Sequence, residues 1–342
     1  MLILGLESTC DESSAAVLEA PRTVLSNVVK TQIDDHKKFG GVVPEIASRL
    51  HLNYLFSALN EALEQSGKTM QEIDLIAVSN RPGLLGGLLV GTTIAKTLSL
   101  LLKKPLILVD HLFGHLVASE LDKGIVYPCV AGIFSGAHSN IYYGENACTW
   151  TMLSKSRDDA PGEAFDKVAK LIGLGYPGGP AIQKKAEEGN PKRYKIPSPL
   201  PKSLNGDFSF SGIKTNVLYQ IQGTNGKEAC QPEGYADLAA SFQYAVSDGL
   251  SNRLIECAKD KKVSHIYIGG GVAANQCLRE MLADKAQKVG MQSEYPPIGL
   301  CVDNGAMIAR AGLILHDQGI TSELNENVYS RSVWGLDLDF AS

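Results

Sequence analysis

The sequence predicts an α/β protein built from two similar domains with a cleft between them. The chain has 342 residues, which is enough for two domains that each have a hydrophobic core. With 44% hydrophobic and 20% charged residues, the composition excludes a disordered chain, a collagen-like repeat and a disulfide-stapled miniprotein. Strand-like and helix-like segments also alternate, in an order that occurs twice along the chain.

The first half of the chain opens with three strand-like segments, at residues 2–6, 15–18 and 24–29. Pro44 suits the first turn of a helix, and the pattern extends this helix to about residue 65. A strand follows at 73–78. The glycine-rich turn at 82–87 opens a second helix that runs to about residue 102, and a strand at 105–109 ends this half.

The second half repeats this order and contains an insertion. Three strands are predicted at 129–134, 140–143 and 149–153, and helices at 162–172 and 236–258. A strand at 265–268, a helix at 274–289 and a strand at 292–295 follow, before a last helix at 304–315. We therefore expect an N-terminal α/β lobe at 1–125, a C-terminal α/β lobe at 126–300, and a C-terminal helix and tail at 301–342 that pack at the lobe junction.

The insertion, at about 184–215, is rich in proline and in basic residues. From Lys184 to Lys214, seven basic residues face three acidic ones, which is a local excess of four. One interpretation is a solvated surface loop. The other is a patch that contacts phosphates, with Tyr194 available for base stacking.

Charge and cysteine content indicate a soluble, cytoplasmic protein. The formal net charge of −5 excludes a basic field over the whole chain, so any contact with nucleic acid has to be local or shared with a partner. The seven cysteines include no CxxC pair, which is typical of free thiols in a reducing compartment. The apolar stretch 84–109 is interrupted by three lysines and a proline, and the N-terminus lacks the basic region of a signal peptide.

His111 and His115 are four residues apart at the predicted start of a helix, so both imidazoles can reach one metal ion. A zinc-peptidase motif requires Glu directly after the first histidine, and here the residue is Leu112. Asp303, before the last helix, is a candidate third ligand of a two-His-one-carboxylate site. A helix N-cap is the alternative role for Asp303.

Three further segments can bind a nucleotide. The turn Ile133–His138 (IFSGAH) and the run Gly269–Asn275 (GGGVAAN) each follow an apolar strand, where backbone N–H groups can approach a phosphate. Neither segment matches the dinucleotide fingerprint or the P-loop motif. Asp166, near a double-glycine turn, is a candidate contact to ribose or metal. A plain hairpin turn and a solvated helix face are the alternatives.

Together these segments resemble the universal tRNA threonylcarbamoyladenosine transferases, the TsaD-like family once labelled glycoprotein endopeptidases. Nine stretches carry the resemblance, in order, from one end of the chain to the other. They lie at residues 4–13, 39–51, 82–91, 110–115, 134–139, 158–180, 207–215, 269–275 and 301–309. The GGVVPE stretch is similar to the bacterial or organellar branch.

The resemblance implies an actin/Hsp70-like (ASKHA) fold of two duplicated ribonuclease-H-like lobes with a central cleft. It implies transfer of the threonylcarbamoyl group from threonylcarbamoyl-adenylate to the adenosine 3′ of the anticodon, in tRNAs that read codons starting with A. The family's metal site, for iron(II) or zinc, carries over onto His111, His115 and Asp303. Its adenylate contacts carry over onto the following residues: Ile133, Phe134, Ser135, Gly136, Ala137, Asp166, Gly179 and Asn275.

The resemblance also implies partners, namely tRNA, a degenerate paralogue (TsaB-like) and a small P-loop ATPase (TsaE-like). Ala137 replaces the second glycine usual in the family, and Asp110 stands where histidine is common and is a candidate partner for an imidazole. We hypothesise that Asp11 orients or deprotonates the adenosine amine. The competing hypotheses are a metal-dependent peptidase, an ATPase of the same fold and a non-catalytic scaffold.

Overall fold

The computed structural model describes residues 1–224 and 229–332, which form two compact units. Among these described residues, unit 1 comprises Met1–Ile125, Asn146–Thr149 and those from Pro296 onward, and unit 2 comprises those within Val126–Glu145 and Trp150–Tyr295. The last helix therefore belongs to unit 1. Residues 333–342, part of the predicted C-terminal tail, lie outside the described residues.

Unit 1 is built on a five-stranded sheet. Its strands are β1 (Leu2–Glu7), β2 (Glu12–Glu19), β3 (Thr23–Thr31), β4 (Leu75–Arg81) and β5 (Leu106–Asp110). The sheet order is β3-β2-β1-β4-β5; the pairs that join β1, β2 and β3 are antiparallel, and those that join β1, β4 and β5 are parallel. The helices of unit 1 are α1 (Ile33–Lys37), α2 (Pro44–Ser66), α3 (Leu85–Leu102), α4 (His111–Val117), α10 (Ile298–Cys301) and α11 (Gly305–Asp317).

Unit 2 repeats this topology. Its strands are β6 (Cys129–Phe134), β7 (Ser139–Gly144), β8 (Trp150–Lys155), β9 (His265–Gly269) and β10 (Gln292–Glu294). The sheet order is β10-β9-β6-β7-β8, with β6 parallel to β9 and antiparallel to β7, so each strand corresponds to one of unit 1. The helices are α5 (Pro161–Leu171), α6 (Gly178–Ala186), α7 (Ser211–Gln222), α8 (Tyr235–Lys261) and α9 (Gln276–Lys288). The predicted duplication is therefore present.

The central strands have apolar residues on both faces because helices cover both faces of the sheet. In unit 1, α2 and α3 contribute Leu55 and Ala95 to the cluster around Leu4 and Ile76. The helix α11 packs against β1, β2 and β4. In unit 2, the long helix α8 packs against α6 and α9 and contacts β6 and β9.

The predicted insertion at 184–215 is only partly a loop. The helix α6 extends into it as far as Ala186, and α7 begins within it at Ser211. Neither helix was predicted. The start of α6, Gly-Gly-Pro, has the composition of a turn, and α7 has little amphipathic pattern. Tertiary packing of Ile182 and Val217, both fully buried, outweighs these weak local signals.

The helix α3, Leu85–Leu102, is long and apolar enough to cross a membrane when length and composition alone are considered. In unit 1 it packs against α2 and β4, and this packing accounts for its buried apolar side chains.

Candidate functional site

The ends of parallel strands position the first cluster of candidate site residues. Since β1, β4 and β5 are adjacent and parallel, their carboxyl ends lie at one edge of the sheet. In α/β sheets this edge is where ligands bind. The strand β1 ends at Glu7 and β5 at Asp110, so the turn 8–11 and the helix α4 both begin at this edge.

The structure brings the three predicted metal ligands together. His111 and His115 lie one turn apart on α4, and Asp303 lies two residues before α11. Oδ1 of Asp303 is 3.0 Å from Nε2 of His115 and 3.4 Å from Nε2 of His111. One ligand atom from each residue lies within 4.8 Å of the others. Both histidines are buried, and Asp303 is partly exposed.

The alternative role of Asp303 as a helix cap is filled by its neighbour. The side chain of Asn304 accepts a hydrogen bond from the backbone N–H of Met307 at 3.0 Å and caps α11. Asn304 therefore caps α11, and the carboxylate of Asp303 contacts the two histidines.

Glu7 and Thr9 contact the other nitrogen of His111. Nδ1 of His111 is 3.0 Å from Oε2 of Glu7 and 3.3 Å from Oγ1 of Thr9, and the N–H of Thr9 donates to Oε1 of Glu7 at 2.7 Å. A proton on Nδ1 leaves the Nε2 lone pair of His111 directed at Asp303. Such carboxylate partners orient metal-binding histidines. Sequence reasoning missed both contacts, although the position of Glu7 at the end of a buried strand is a usable signal.

These residues fit a divalent metal ion. Two imidazole nitrogens and one carboxylate oxygen are the donors of two-His-one-carboxylate iron(II) sites and also occur in catalytic zinc sites. Nδ1 of His115 is buried and has no hydrogen-bond partner among the described residues, whereas Nε2 lies 3.0 Å from Oδ1 of Asp303.

The electrostatics of the cluster favour one positive charge beside Asp303. Burial lowers the pKa of His111, but the carboxylates of Asp303 and Glu7 outweigh burial and hold this pKa well above its usual value. Burial lowers the pKa of His115, despite its hydrogen bond to Asp303. Burial raises the pKa of Asp303, but the two histidines hold it well below its usual value. A cation held by these residues would take the place of a proton on His111.

Asp11, the proposed catalytic residue, lies in the turn at the same edge and is partly exposed. Its carboxyl group hydrogen-bonds with the side chains of Cys10 and Glu12. Burial, followed by the charges of Asp11 and Asp303, raises the pKa of Glu12 well above its usual value. Glu7, Asp11 and Glu12, in the turn and at its two ends, thus place three carboxyl groups at the same edge of the sheet as the histidines.

Asp110 does not serve as the imidazole partner that its position suggested, because it caps α4. Its carboxylate accepts from the N–H of Leu112 at 2.9 Å and from the hydroxyl of Ser332 at 2.5 Å. Burial raises its pKa to about 6. Glu7, and not Asp110, is the carboxylate that contacts the imidazole of His111.

Unit 2 contains the predicted adenylate residues. Ile133 and Phe134 end the buried strand β6, and the next residues form a tight turn in which Oγ of Ser135 accepts from the N–H groups of Ala137 and His138. Gly136 and Ala137 are exposed, and a Cβ atom at Gly136 meets nothing within 4 Å. Ala137, with its methyl group, therefore lies in an exposed turn.

Two glycines allow other segments of unit 2 to pack closely against residues 134 and 135. A Cβ atom at Gly162, in the first turn of α5, would lie 2.7 Å from the carbonyl oxygen of Ser135. A Cβ atom at Gly270 would lie 2.5 Å from that of Phe134, and Gly270 has a positive φ of 85°. Both positions require glycine, and both keep the predicted nucleotide-binding segments in contact.

Asp166 and Asn275 have structural partners of their own. Oδ1 of Asp166 accepts from the N–H of Gly178 at 2.7 Å and so orders the start of α6, next to Gly179. Asn275 caps α9 by accepting from the N–H of Leu278 at 3.1 Å, and its amide donates to Gln243 at 2.9 Å. At Gly179, a Cβ atom meets nothing within 4 Å.

Solved structures identify the class of fold. Component A of (R)-2-hydroxyglutaryl-CoA dehydratase from Acidaminococcus fermentans matches with a TM-score of 0.56 and 13% identity, over 93% of this chain and 98% of that one. HypF from T. kodakarensis matches with a TM-score of 0.63 and 15% identity, over 92% of this chain and 48% of that one. At these identities the similarity shows the fold alone. The chain is an α/β protein of the actin/Hsp70-like (ASKHA) class, as the sequence predicted.

Sequence comparison then identifies the family. The family model for TsaD, tRNA N6-adenosine threonylcarbamoyltransferase, matches residues 23–310. The enzyme of that name from Syntrophotalea carbinolica is 45% identical, over 98% of this chain and 97% of that protein. The one from Thermosipho melanesiensis is 48% identical, over 95% and 97%. The chain belongs to this family of acyl-type transferases acting on tRNA, which confirms the resemblance and favours it over a peptidase or an ATPase.

Proposed function

We propose that this chain takes the threonylcarbamoyl group from threonylcarbamoyl-adenylate and transfers it to the N6 amine of the adenosine 3′ of the anticodon, in tRNAs that read codons starting with A. The cofactor in this proposal is one divalent metal ion, iron(II) or zinc. The observation that carries the proposal is the cluster of His111, His115 and Asp303 at the carboxyl edge of the unit 1 sheet, in a chain of the transferase family.

In this reaction the N6 nitrogen forms a bond to the carbamoyl carbon, and the bond from that carbon to the phosphate oxygen breaks. AMP leaves with the electron pair, and the amine loses one proton. Because AMP is a good leaving group, a covalent enzyme intermediate is not required. His111, His115 and Asp303 would hold the metal ion, which would supply Lewis-acid stabilisation of negative charge on the substrate oxygens.

The chain's own residues supply positioning and a proton acceptor. Glu7 holds the ring of His111 so that Nε2 faces Asp303. We assign to Asp11 the role of orienting the N6 amine or accepting its proton, because the residue is partly exposed in the turn after β1, at the same edge of the sheet as His111. An Asp11→Asn variant that kept full transfer activity would contradict this role.

For the adenylate, we assign the turn Ile133, Phe134, Ser135, Gly136 and Ala137, together with Asp166, Gly179 and Asn275. The open space at Gly136 and Gly179 supports this assignment, because a ligand can approach the backbone closely there. Asp166 and Asn275 then act chiefly by holding the starts of α6 and α9.

The proposed protein partners are a degenerate paralogue (TsaB-like) and a P-loop ATPase (TsaE-like), in the cytoplasm. An apolar groove of about 430 Å³ between α2 and α3 supports a protein partner. Leu52, Phe56 and Leu89 line it, and each is about half exposed, at 53%, 51% and 54%. Exposed apolar surfaces of this kind are typical of protein interfaces, and we assign this one to the paralogue.

The test is single-turnover transfer from labelled threonylcarbamoyl-adenylate to unmodified tRNA, with and without the partner proteins. Wild type is compared with a His111→Ala/His115→Ala variant, and metal content is measured on the same samples. A His265→Ala/His316→Ala variant is the matched control, since these two partly buried histidines lie outside the cluster.

We expect metal-dependent label on the anticodon-loop adenosine with wild type and with the control, and no label with His111→Ala/His115→Ala. Absence of label with wild type and partners together would contradict the proposed reaction for this chain. Label with the His111→Ala/His115→Ala variant would contradict the metal site.

A further inference from the structure

The segment 189–206 of unit 2 concentrates positive charge in an acidic protein. It contains Lys192, Arg193, Lys195 and Lys202 and no acidic residue, while the chain as a whole has a net charge of −5. It lies between α6 and α7 and includes one short helical turn, Lys202–Leu204.

The four basic side chains of this segment point to solvent. All four residues are exposed, and none of them forms an ion pair with any residue in the part of the chain that the structure describes. The neighbouring Glu188, by contrast, is paired with Lys185 at 2.9 Å. The charges of the segment are therefore available to an external anion.

The backbone beneath these side chains is anchored to the long helix α8. The N–H of Asn190 donates to the carboxylate of Asp237 at 2.7 Å, and the N–H of Tyr194 donates to Oγ of Ser241 at 3.1 Å. Further along, Pro199 lies against α8, because a Cβ atom at Gly249 would come within 2.4 Å of its ring. These contacts hold the segment on the surface of α8. The carboxylate of Asp237 is already hydrogen-bonded to the backbone of the segment.

Tyr194 belongs to this support. It is half-buried, and its hydroxyl donates to Sγ of Cys230 at 3.1 Å. The stacking role suggested for Tyr194 by the sequence is therefore not what its contacts indicate. The exposed recognition groups of the segment are ammonium and guanidinium groups, which pair with phosphates, and contacts to phosphates carry no base-sequence information.

The spacing suits a phosphodiester chain. Residues 192 and 195 are three positions apart, so their Cα atoms lie within about 11 Å even in a fully extended backbone. Three exposed basic residues whose Cα atoms lie within that distance can contact a short run of phosphates, and contact with phosphates dominates affinity for nucleic acids.

We propose that the basic segment 189–206 binds the phosphodiester backbone of the tRNA substrate without reading its bases. The inference rests on the proposed function, since it assigns a surface to the tRNA of that reaction. Contact that is independent of sequence suits an enzyme whose tRNA substrates share an anticodon-loop adenosine and differ elsewhere.

The experiment measures binding of the full chain to unmodified tRNA over a series of salt concentrations, for wild type and for Lys192→Ala/Arg193→Ala/Lys195→Ala. Each lost phosphate contact lowers the slope of log K against log salt by about 1, so we expect a decrease of about two to three. We expect weaker binding by a similar factor for tRNAs of different sequence. In the transfer reaction with partner proteins, KM for tRNA rises and kcat is maintained.

The matched control is Lys123→Ala/Lys170→Ala/Lys259→Ala, which removes the same charge from three exposed, dispersed positions. A control with the same loss of slope would overturn the inference, because net charge alone would then explain it. An unchanged slope in the segment variant, with an unchanged melting temperature, would also overturn it. If the segment variant bound the partner proteins more weakly but bound tRNA as wild type does, that result would also overturn the inference. Binding that follows the expectation while wild type performs no transfer would contradict the proposed function only.

Discussion

Glu7 illustrates how one buried carboxylate determines what a neighbouring side chain can do. It is fully buried, and its two oxygens are used by the N–H of Thr9 and by Nδ1 of His111. A buried carboxylate without such partners would be costly. Here the same contact that satisfies Glu7 also favours a proton on Nδ1 of His111, which would leave Nε2 for the proposed metal ion.

At this scale we predict that Glu7→Ala lowers metal affinity about 10–100-fold, the usual effect of removing an outer partner of a metal-binding histidine. Glu7→Gln should lose less, because its amide oxygen still accepts from Nδ1–H. Chelator competition with zinc and with iron(II) measures the affinity directly. Glu45→Ala, at an exposed position, is the control. If wild type binds metal and Glu7→Ala binds it equally well, Glu7 has no positioning role.

At the scale of elements, the approach of α11 to β1 depends on two glycines. Ideal Cβ atoms built on Gly5 and on Gly305 would lie 2.1 Å and 2.7 Å from backbone oxygens of the facing element. Backbone cannot move aside as a flexible side chain can. This contact holds the start of α11, and with it Asp303, close to the carboxyl ends of the strands.

Gly5→Ala is therefore expected to lower the free energy of unfolding by about 1–3 kcal/mol or more, the usual cost of overpacking a core. Gly212→Ala is the matched control, because a Cβ atom at that position in α7 meets nothing within 4 Å. Urea unfolding of both variants measures the difference. Equal stability of Gly5→Ala and wild type would show that the β1–α11 contact can relax without cost.

Asp158 has a comparable role at the start of α7. Its carboxylate accepts from the N–H of Phe210 at 2.8 Å and from the hydroxyls of Ser209 and Ser211 at 2.5 Å and 2.8 Å. Burial raises the pKa of Asp158, but these hydrogen bonds outweigh it and hold the pKa below its usual value of 3.8. The ionised carboxylate is therefore the form that stabilises the fold.

Because the folded pKa of Asp158 is lowered, its contribution is present above the unfolded pKa and is lost as the pH falls through the folded pKa. We predict that Asp158→Ala lowers the free energy of unfolding by about 1 kcal/mol at pH 7, as the loss of a helix cap does. This difference from wild type should disappear as the pH falls below 3.8, the usual pKa of Asp. Urea unfolding between pH 7 and pH 3 measures it. Asp122→Ala, at an exposed position, should show no such trend.

At the scale of the whole molecule, the proposed metal ion joins distant parts of the chain. His115 and Asp303 are 188 residues apart, and both belong to unit 1. A ligand that binds only the folded state stabilises it by mass action, by about 2.7 kcal/mol at a hundredfold excess over its Kd. This stabilisation by metal should occur only in proteins that retain His111, His115 and Asp303.

We predict that saturating zinc or iron(II) raises the melting temperature by about 5–10 °C, as that free energy implies for a domain of this size. Removal of the metal with a chelator should reverse the rise. Differential scanning calorimetry of wild type and His111→Ala/His115→Ala measures both states. An equal rise in the double variant would place metal binding elsewhere in the chain.

Local patterns in the sequence determined most of the secondary structure and the residues of the candidate site. Interactions between residues close in sequence produce the strands and six of the helices, namely α2, α3, α5, α8, α9 and α11. The four-residue spacing of His111 and His115 is likewise a local feature. Such features can be read along the chain. The same patterns offered Asp303 and the segments 133–138 and 269–275 as candidates, each with a structural alternative, and the resemblance to a family assigned their roles and added Gly179. The helices α6 and α7 were missed because their stability comes from packing against distant elements.

Which side chains contact one another depends on the tertiary structure. The parallel order of β1, β4 and β5 brings Glu7 to His111 across 104 residues, and the fit of α11 on β1 brings Asp303 to the same edge. The structure also shows that Asp110 and Asn275 cap helices, and that the hydroxyl of Tyr194 in the basic segment hydrogen-bonds to Cys230. These contacts depend on strand order and on close backbone packing. Both are properties of the whole fold, which explains why local sequence patterns could propose the site residues and could not predict their partners.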